Sequence, residues 1–73
     1  MNKTEKVKLH LQQVGHINSW EAIQEYGATR LSGIIYNLRY KYNMPIFSVR
    51  QEFTDRFGDK SYFVNYVLED SNE

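Results

Sequence analysis

Hydrophobic residues recur every three or four positions between Arg30 and Tyr42. Placed at about 100° per residue, one arc is apolar and contains Leu31, Ile34, Ile35, Leu38 and Tyr42. The opposite arc contains Thr29, Ser32, Gly33, Tyr36, Asn37 and Tyr40, with Arg30 and Lys41 along one border and Arg39 along the other. This spacing predicts an amphipathic helix.

A shorter helix is predicted just before it. Asn18 and Glu21 have the spacing of a capping box, and Gly27 can take the positive φ at which helices end. Thr29 is the next candidate N-cap. The turn Gly27-Ala28-Thr29 is short and contains glycine, which favours a helix-turn-helix; a helical hairpin in a small bundle is the alternative.

The polar arc of the second helix contains no acidic residue, although three basic residues border it. A helix that is merely solvated usually mixes both signs of charge. We therefore expect this side to lie clear of the protein body and to contact a partner.

The segments on either side of the pair complete the expected fold. An N-terminal helix is predicted over residues 3–14, with an apolar stripe of Val7, Leu11 and Val14 and a Gly15 cap. A very short strand is expected at His16-Ile17. Asn43 and Pro45 end the second helix of the pair, and residues 46–54 and 61–68 then form an antiparallel hairpin whose inward face the pattern leaves open.

Length and composition limit the classes of protein. Seventy-three residues make a single domain over 1–73, ordered from about 4 to 68 and followed by an acidic tail, 69–73. There is no cysteine, which excludes disulfides and thiolate metal sites, and no apolar run long enough to cross a membrane. We expect a cytoplasmic protein.

The net charge is zero, but its distribution is uneven. Residues 30–60 contain six basic and three acidic side chains, whereas all three charges of residues 61–73 are acidic. The basic excess therefore lies on the second helix of the pair and the hairpin. Because it is modest, a DNA-binding protein with this surface is expected to bind as a homodimer or in clusters of several copies.

Helix, short strand, helix-turn-helix and terminal hairpin is the order of a winged helix-turn-helix, an α+β fold. Several segments resemble the small winged helix-turn-helix proteins of bacteriophages and prophages: Ser19-Trp20-Glu21-Ala22-Ile23, Gly27-Ala28-Thr29-Arg30-Leu31-Ser32, Ile35, Asn37-Leu38-Arg39 and Phe63 to Leu68. The resemblance covers about residues 4–68. It implies three helices and a two-stranded hairpin, with the second helix of the motif in the major groove of DNA. The hairpin, called the wing in such proteins, would contact flanking backbone or the minor groove.

Particular residues follow from the resemblance and from their chemistry. The resemblance points to Thr29, Arg30, Ser32, Tyr36 and Asn37, and to Arg56 and Lys60 at the hairpin tip. Arginine can donate two hydrogen bonds to guanine and asparagine can pair with adenine, while hydroxyls suit phosphate. The polar arc adds Gly33, which lets another surface come close, and Tyr40, and the border of the arc adds Lys41.

Each of these side chains also has a purely structural alternative. Arg30 could pair with Glu21 or Glu25, and Asn37 could simply be solvated. Tyr36 and Tyr40 could be covered by the hairpin. Arg56 and Lys60 could pair with Asp55 and Asp59.

Enzymatic chemistry is not expected. The sequence contains no glycine-rich phosphate loop, no cluster of metal ligands and no set of nucleophile and base, and His10 and His16 lack ligand spacing. No cofactor is predicted. The alternative to DNA binding is a protein-interaction module that contacts a host or phage protein, because Tyr and Arg are common at the centres of protein interfaces.

Overall fold

A computed structural model describes residues 1–69. The chain forms α1 (Lys3–Val14), β1 (His16–Asn18), α2 (Ser19–Tyr26), α3 (Leu31–Tyr40), β2 (Ile46–Thr54) and β3 (Lys60–Leu68). Three helices followed by an antiparallel hairpin confirm the predicted α+β fold, including the very short first strand. Of the expected acidic tail, only Glu69 lies within the described residues.

Capping residues explain where α1 and α2 begin and end. Asn18 and Glu21 form the predicted capping box at α2, and Gly15 and Gly27 end α1 and α2 in the left-handed conformation. A second capping box, between Asn2 and Glu5, begins α1. Asn2 therefore caps a helix, and the ordered region begins before the predicted start at about residue 4.

The three strands form one antiparallel sheet in the order β1-β3-β2. In the hairpin, Ile46 pairs with Leu68 and Thr54 pairs with Lys60. Ile17 of β1 pairs with Tyr66 of β3. The sheet therefore joins the segment between α1 and α2 to the far end of the chain.

The core lies between the helices and the base of the sheet. It consists of Val7, Leu11, Ile17, Ala22, Ala28, Leu31, Ile35, Leu38 and Ile46, with Tyr26, Ile34, Met44, Tyr66 and Leu68 packed against it. Two residues predicted on apolar stripes, Val14 and Tyr42, are exposed instead. Val14 is the last residue of α1, and Tyr42 follows the end of α3, so both lie beyond the region where the helices pack.

His10 joins α1 to α2. Its Nδ1 lies 2.7 Å from the Tyr26 hydroxyl, and the two rings meet edge to face. His10 is thus a structural residue. Within residues 1–69, no helix is long and apolar enough to span a membrane.

Candidate nucleic-acid interface

Packing fixes which side of α3 reaches solvent. Leu31, Ile35 and Leu38 are buried, and α3 contacts α1. Because these residues lie on one side of the helix, the other side is turned outward. The exposed residues on α3 and at its ends are Thr29, Arg30, Ser32, Gly33, Tyr36, Asn37, Tyr40 and Lys41; we call them the α3 surface.

The α3 surface carries positive charge without a paired acid. No acidic residue occurs between Arg30 and Tyr42. Among residues 1–69, the ion pair that forms joins Arg50 Nε to Glu52 Oε2 at 3.8 Å, so Arg30 pairs with neither Glu21 nor Glu25. The guanidinium of Arg30 is therefore available to a partner from outside.

The N-terminus of α3 is uncapped, which corrects the prediction for Thr29. The N-cap is Arg30, whose carbonyl accepts from the Ile34 amide at 3.3 Å, and no side chain caps the helix. The turn between α2 and α3 packs against the core. Ala28 is buried, and its amide donates to the Ala22 carbonyl at 3.0 Å. Thr29 is left exposed. Free amides at a helix N-terminus attract anions such as phosphate.

Two tyrosines form a tilted stack on this surface. The rings of Tyr36 and Tyr40 are 4.7 Å apart between centroids and 48° from parallel. The hairpin does not cover them, because they are 64% and 68% exposed. Their hydroxyls can bond phosphate, and their ring edges can contact a thymine methyl.

Arg39 belongs to the fold rather than to this surface, contrary to its predicted place on the exposed border. Its Nε donates to the Ile46 carbonyl at 2.9 Å and its Nη2 donates to Ser48 Oγ at 2.8 Å. Arg39 therefore holds α3 against the start of β2. Ile46 lies seven residues after Arg39 and beyond Pro45, so the helical periodicity of the sequence did not indicate this contact.

The hairpin tip presents Arg56 and Lys60 separately from α3. At about 3.3 Å per residue, the nine residues of β2 place the tip about 30 Å from the end that Arg39 holds. Asp55 Oδ1 accepts from the Phe57 amide at 2.9 Å and the Asp59 amide at 3.0 Å, which fixes the turn. Neither basic residue forms an ion pair in the described chain, although the Arg56 guanidinium lies 5.1 Å from the Phe57 ring centroid.

The predicted site residues thus form two exposed groups, one on α3 and one at the tip. Lys60 lines a small open depression of about 130 Å³ beside Glu52, Phe53 and Thr54, and the α3 residues line none of the larger depressions described within residues 1–69. No group of three or more His, Cys, Asp or Glu residues that could hold a metal occurs in that same part of the chain. The arrangement suits contact with an extended surface.

A protein-family model described as a winged helix-turn-helix domain matches residues 3–42. The matched segment contains α1, β1, α2 and α3 and is more than half of the chain. The chain belongs to this winged helix-turn-helix family. Winged helix-turn-helix domains generally bind DNA. No curated protein and no solved structure matches the chain significantly.

Membership of this family relates the α3 surface and the hairpin tip to the parts of a winged helix-turn-helix. In a helix-turn-helix, the second helix enters the major groove and its N-terminal residues contact base edges. Here that helix is α3, with Arg30 and Ser32 at its start. The hairpin follows the matched segment, and the structure shows that it completes the winged form.

Proposed function

We propose that this winged helix-turn-helix domain binds double-stranded DNA and prefers particular base sequences. In this proposal α3 lies in the major groove, and Arg56 and Lys60 of the hairpin contact the flanking backbone or minor groove. The observation that supports it best is the α3 surface, which is exposed, free of acidic residues and open at its helix N-terminus.

Residue roles follow from donor geometry. Arg30 would donate to guanine O6 and N7, and Asn37 would pair with adenine N6 and N7. Ser32, Thr29 and the first amides of α3 would bind phosphate, and Lys41 would add charge. Gly33 would allow the groove wall to approach the helix.

The wider role that we propose is a phage or prophage transcriptional regulator or an accessory factor in DNA transactions, without enzymatic activity. A DNA target places the protein in the cytoplasm of a bacterial cell or an infected host. We further propose that it acts as a homodimer, because each copy offers only a few unpaired cations to phosphate.

The test is binding to a random DNA pool at two salt concentrations. If Lys41, Arg56 and Lys60 each meet a phosphate, log K falls with log salt at a slope of about −2.7 per protomer, or roughly 40-fold between 50 and 200 mM. Absence of DNA binding at low salt would overturn the proposal.

A double variant tests the residue assignment. Arg30→Ala with Asn37→Ala removes two base contacts worth about 1–3 kcal/mol each, so affinity for the preferred site should fall at least about 30-fold. Lys3→Ala with Gln13→Ala removes the same charge and an amide from α1 and serves as the control. Equal binding by the two double variants would contradict the assignment.

A second candidate is a protein-interaction module that binds a host or phage protein through the same surface. The exposed stack of Tyr36 and Tyr40 favours it, because tyrosine anchors many protein interfaces. Such an interface would change little with salt, whereas DNA binding would weaken along a log-linear slope.

A further inference from the structure

Strand register divides the sheet into two faces. Ile46 pairs with Leu68, and Ile17 pairs with Tyr66; because Ile17 and Ile46 are buried, these residues mark the inner face. Side chains alternate along a strand, so the intervening residues point away from the helices. The outer sheet face consists of Phe47, Val49, Gln51, Phe53, Ser61, Phe63, Asn65 and Val67 on the hairpin, with His16 and Asn18 of β1 beside them.

The hairpin part of the outer sheet face contains no Asp, Glu, Lys or Arg. Arg50, Glu52 and Lys60, which are the charged residues of β2 and β3, all belong to the inner set. A sheet face left in water normally carries the polar residues and the buried face the apolar ones. Along the outer half of the hairpin both faces reach solvent, because Arg50, Glu52 and Tyr62 of the inner set are exposed too, and the outer sheet face is the more apolar of the two.

Large side chains are exposed across this face. Phe47 is 53% exposed, Val49 43%, Phe53 45% and Phe63 39%. Phe53 and Phe63 lie 6.0 Å apart between ring centroids. At its edge, Trp20 is 65% exposed and helps to line a shallow depression of about 320 Å³ that also contains Phe53 and Phe63.

The exposed aromatic area is a large part of what a dimer interface requires on each partner. Given about 150–250 Å² for a whole aromatic side chain, the four aromatic residues of this set expose roughly 300–500 Å². A standard interface buries about 800 Å² on each partner, and the polar residues of the same face supply much of the difference. An isolated patch of this size commonly marks an interaction site.

We infer that the outer sheet face binds the same face of a second copy of this chain. An uncharged face requires an uncharged partner, and a two-fold axis provides one of identical size and composition. Two such sheets would pack face to face about 10 Å apart. DNA is excluded as the occupant, because the face offers no Lys or Arg to phosphate.

This arrangement leaves the α3 surface free. Arg39 of α3 bonds Ser48, which belongs to the inner set, so α3 lies on the opposite side of the sheet. The inference rests on the homodimer proposed above and is independent of whether that dimer binds DNA.

Sedimentation equilibrium without DNA tests the interface. The unmodified chain should pass from monomer to dimer between low micromolar and near-millimolar concentration. Val49→Lys with Phe63→Lys should raise the dimer dissociation constant at least about tenfold, because it buries unpaired charge. Phe57→Lys changes an exposed aromatic outside the face and should shift that constant less than about twofold.

A monomer at near-millimolar concentration would overturn the assignment of a second copy. The same assignment would be overturned if the variant with Val49→Lys and Phe63→Lys had the dimer dissociation constant of the unmodified chain. Circular dichroism of each variant identifies any that fails to fold.

A dilution series followed by nuclear magnetic resonance needs no variant. On dilution, amide signals of Val49, Phe53 and Phe63 should shift, while those of Tyr36 and Asn37 should not. Shifts confined to α1 or α3 would contradict the inference. Because no DNA is present, a failure here leaves the DNA-binding proposal to its own test.

Discussion

The two helices of the helix-turn-helix are held in different ways. At α2, the Glu21 amide donates to Asn18 Oδ1 at 2.8 Å and the Asn18 amide donates to Glu21 Oε1 at 3.0 Å, while Ala22 is its buried residue. At α3, no side chain caps the start, but Leu31, Ile35 and Leu38 are buried. Local hydrogen bonds therefore define α2, whereas tertiary packing defines α3 and leaves its first amides free.

The largest expected effect comes from removing the packing of α3. Leu38 is fully buried, so Leu38→Ala should lower the free energy of unfolding by about 2–5 kcal/mol, through lost transfer energy and the cavity left behind. Urea unfolding followed by circular dichroism measures it. Ser32→Ala, on the exposed side, should change the free energy by less than about 0.5 kcal/mol. Similar effects at both positions would mean that α3 is not held by packing.

Arg39 comes next, because it joins α3 to β2. Arg39→Ala removes both hydrogen bonds of the guanidinium and should lower the free energy of unfolding by about 1–3 kcal/mol. The matched control is Arg30→Ala, an arginine at the start of the same helix for which no ion pair forms in the described chain. A stability loss for Arg30→Ala as large as for Arg39→Ala would contradict the division between fold and surface.

A pair of cap substitutions sharpens the contrast between the helix starts. Asn18→Ala removes a capping acceptor and should lower the free energy of unfolding by about 1 kcal/mol. Thr29→Ala removes no cap and should change it by less than about 0.5 kcal/mol. Thermal unfolding of both variants provides the measurement, and equal losses would restore Thr29 as a cap.

The smallest effect concerns Gly33. A Cβ added there meets nothing within 4 Å, so Gly33→Ala should raise the free energy of unfolding by about 0.5–1 kcal/mol. If α3 lies close in the groove, the same methyl should weaken DNA binding several-fold. Unchanged DNA affinity in this stabilised variant would place Gly33 outside the contact.

Sequence alone predicted the elements that depend on local signals. The caps at Gly15, Asn18 and Gly27 act within one turn, and the hairpin follows from β-forming runs on either side of a polar turn. The Asn2 and Glu5 capping box was missed, although it has the same spacing as Asn18 and Glu21. That spacing was the available signal.

The errors arise where distant parts of the chain meet. Thr29 was wrongly predicted as a cap. The position of the turn depends on the burial of Ala28 in the core, which the local sequence does not show. Arg39 was placed on the surface because its partner residues lie beyond Pro45. The inner and outer faces of the hairpin could not be separated by pattern, because both carry aromatic residues. Their assignment required the pairing with Ile17.

The pairing of Ile17 with Tyr66 also bears on synthesis of the chain. The segment that matches the family ends at residue 42. The residues of β3 that pair with β1 lie more than twenty residues beyond that end. During translation, the helices can form early, but the edge of β1 stays unpaired until β3 has left the ribosome. A nascent chain halted after α3 would therefore lack Ile46, Tyr66 and Leu68, which cover one side of the core in the complete domain.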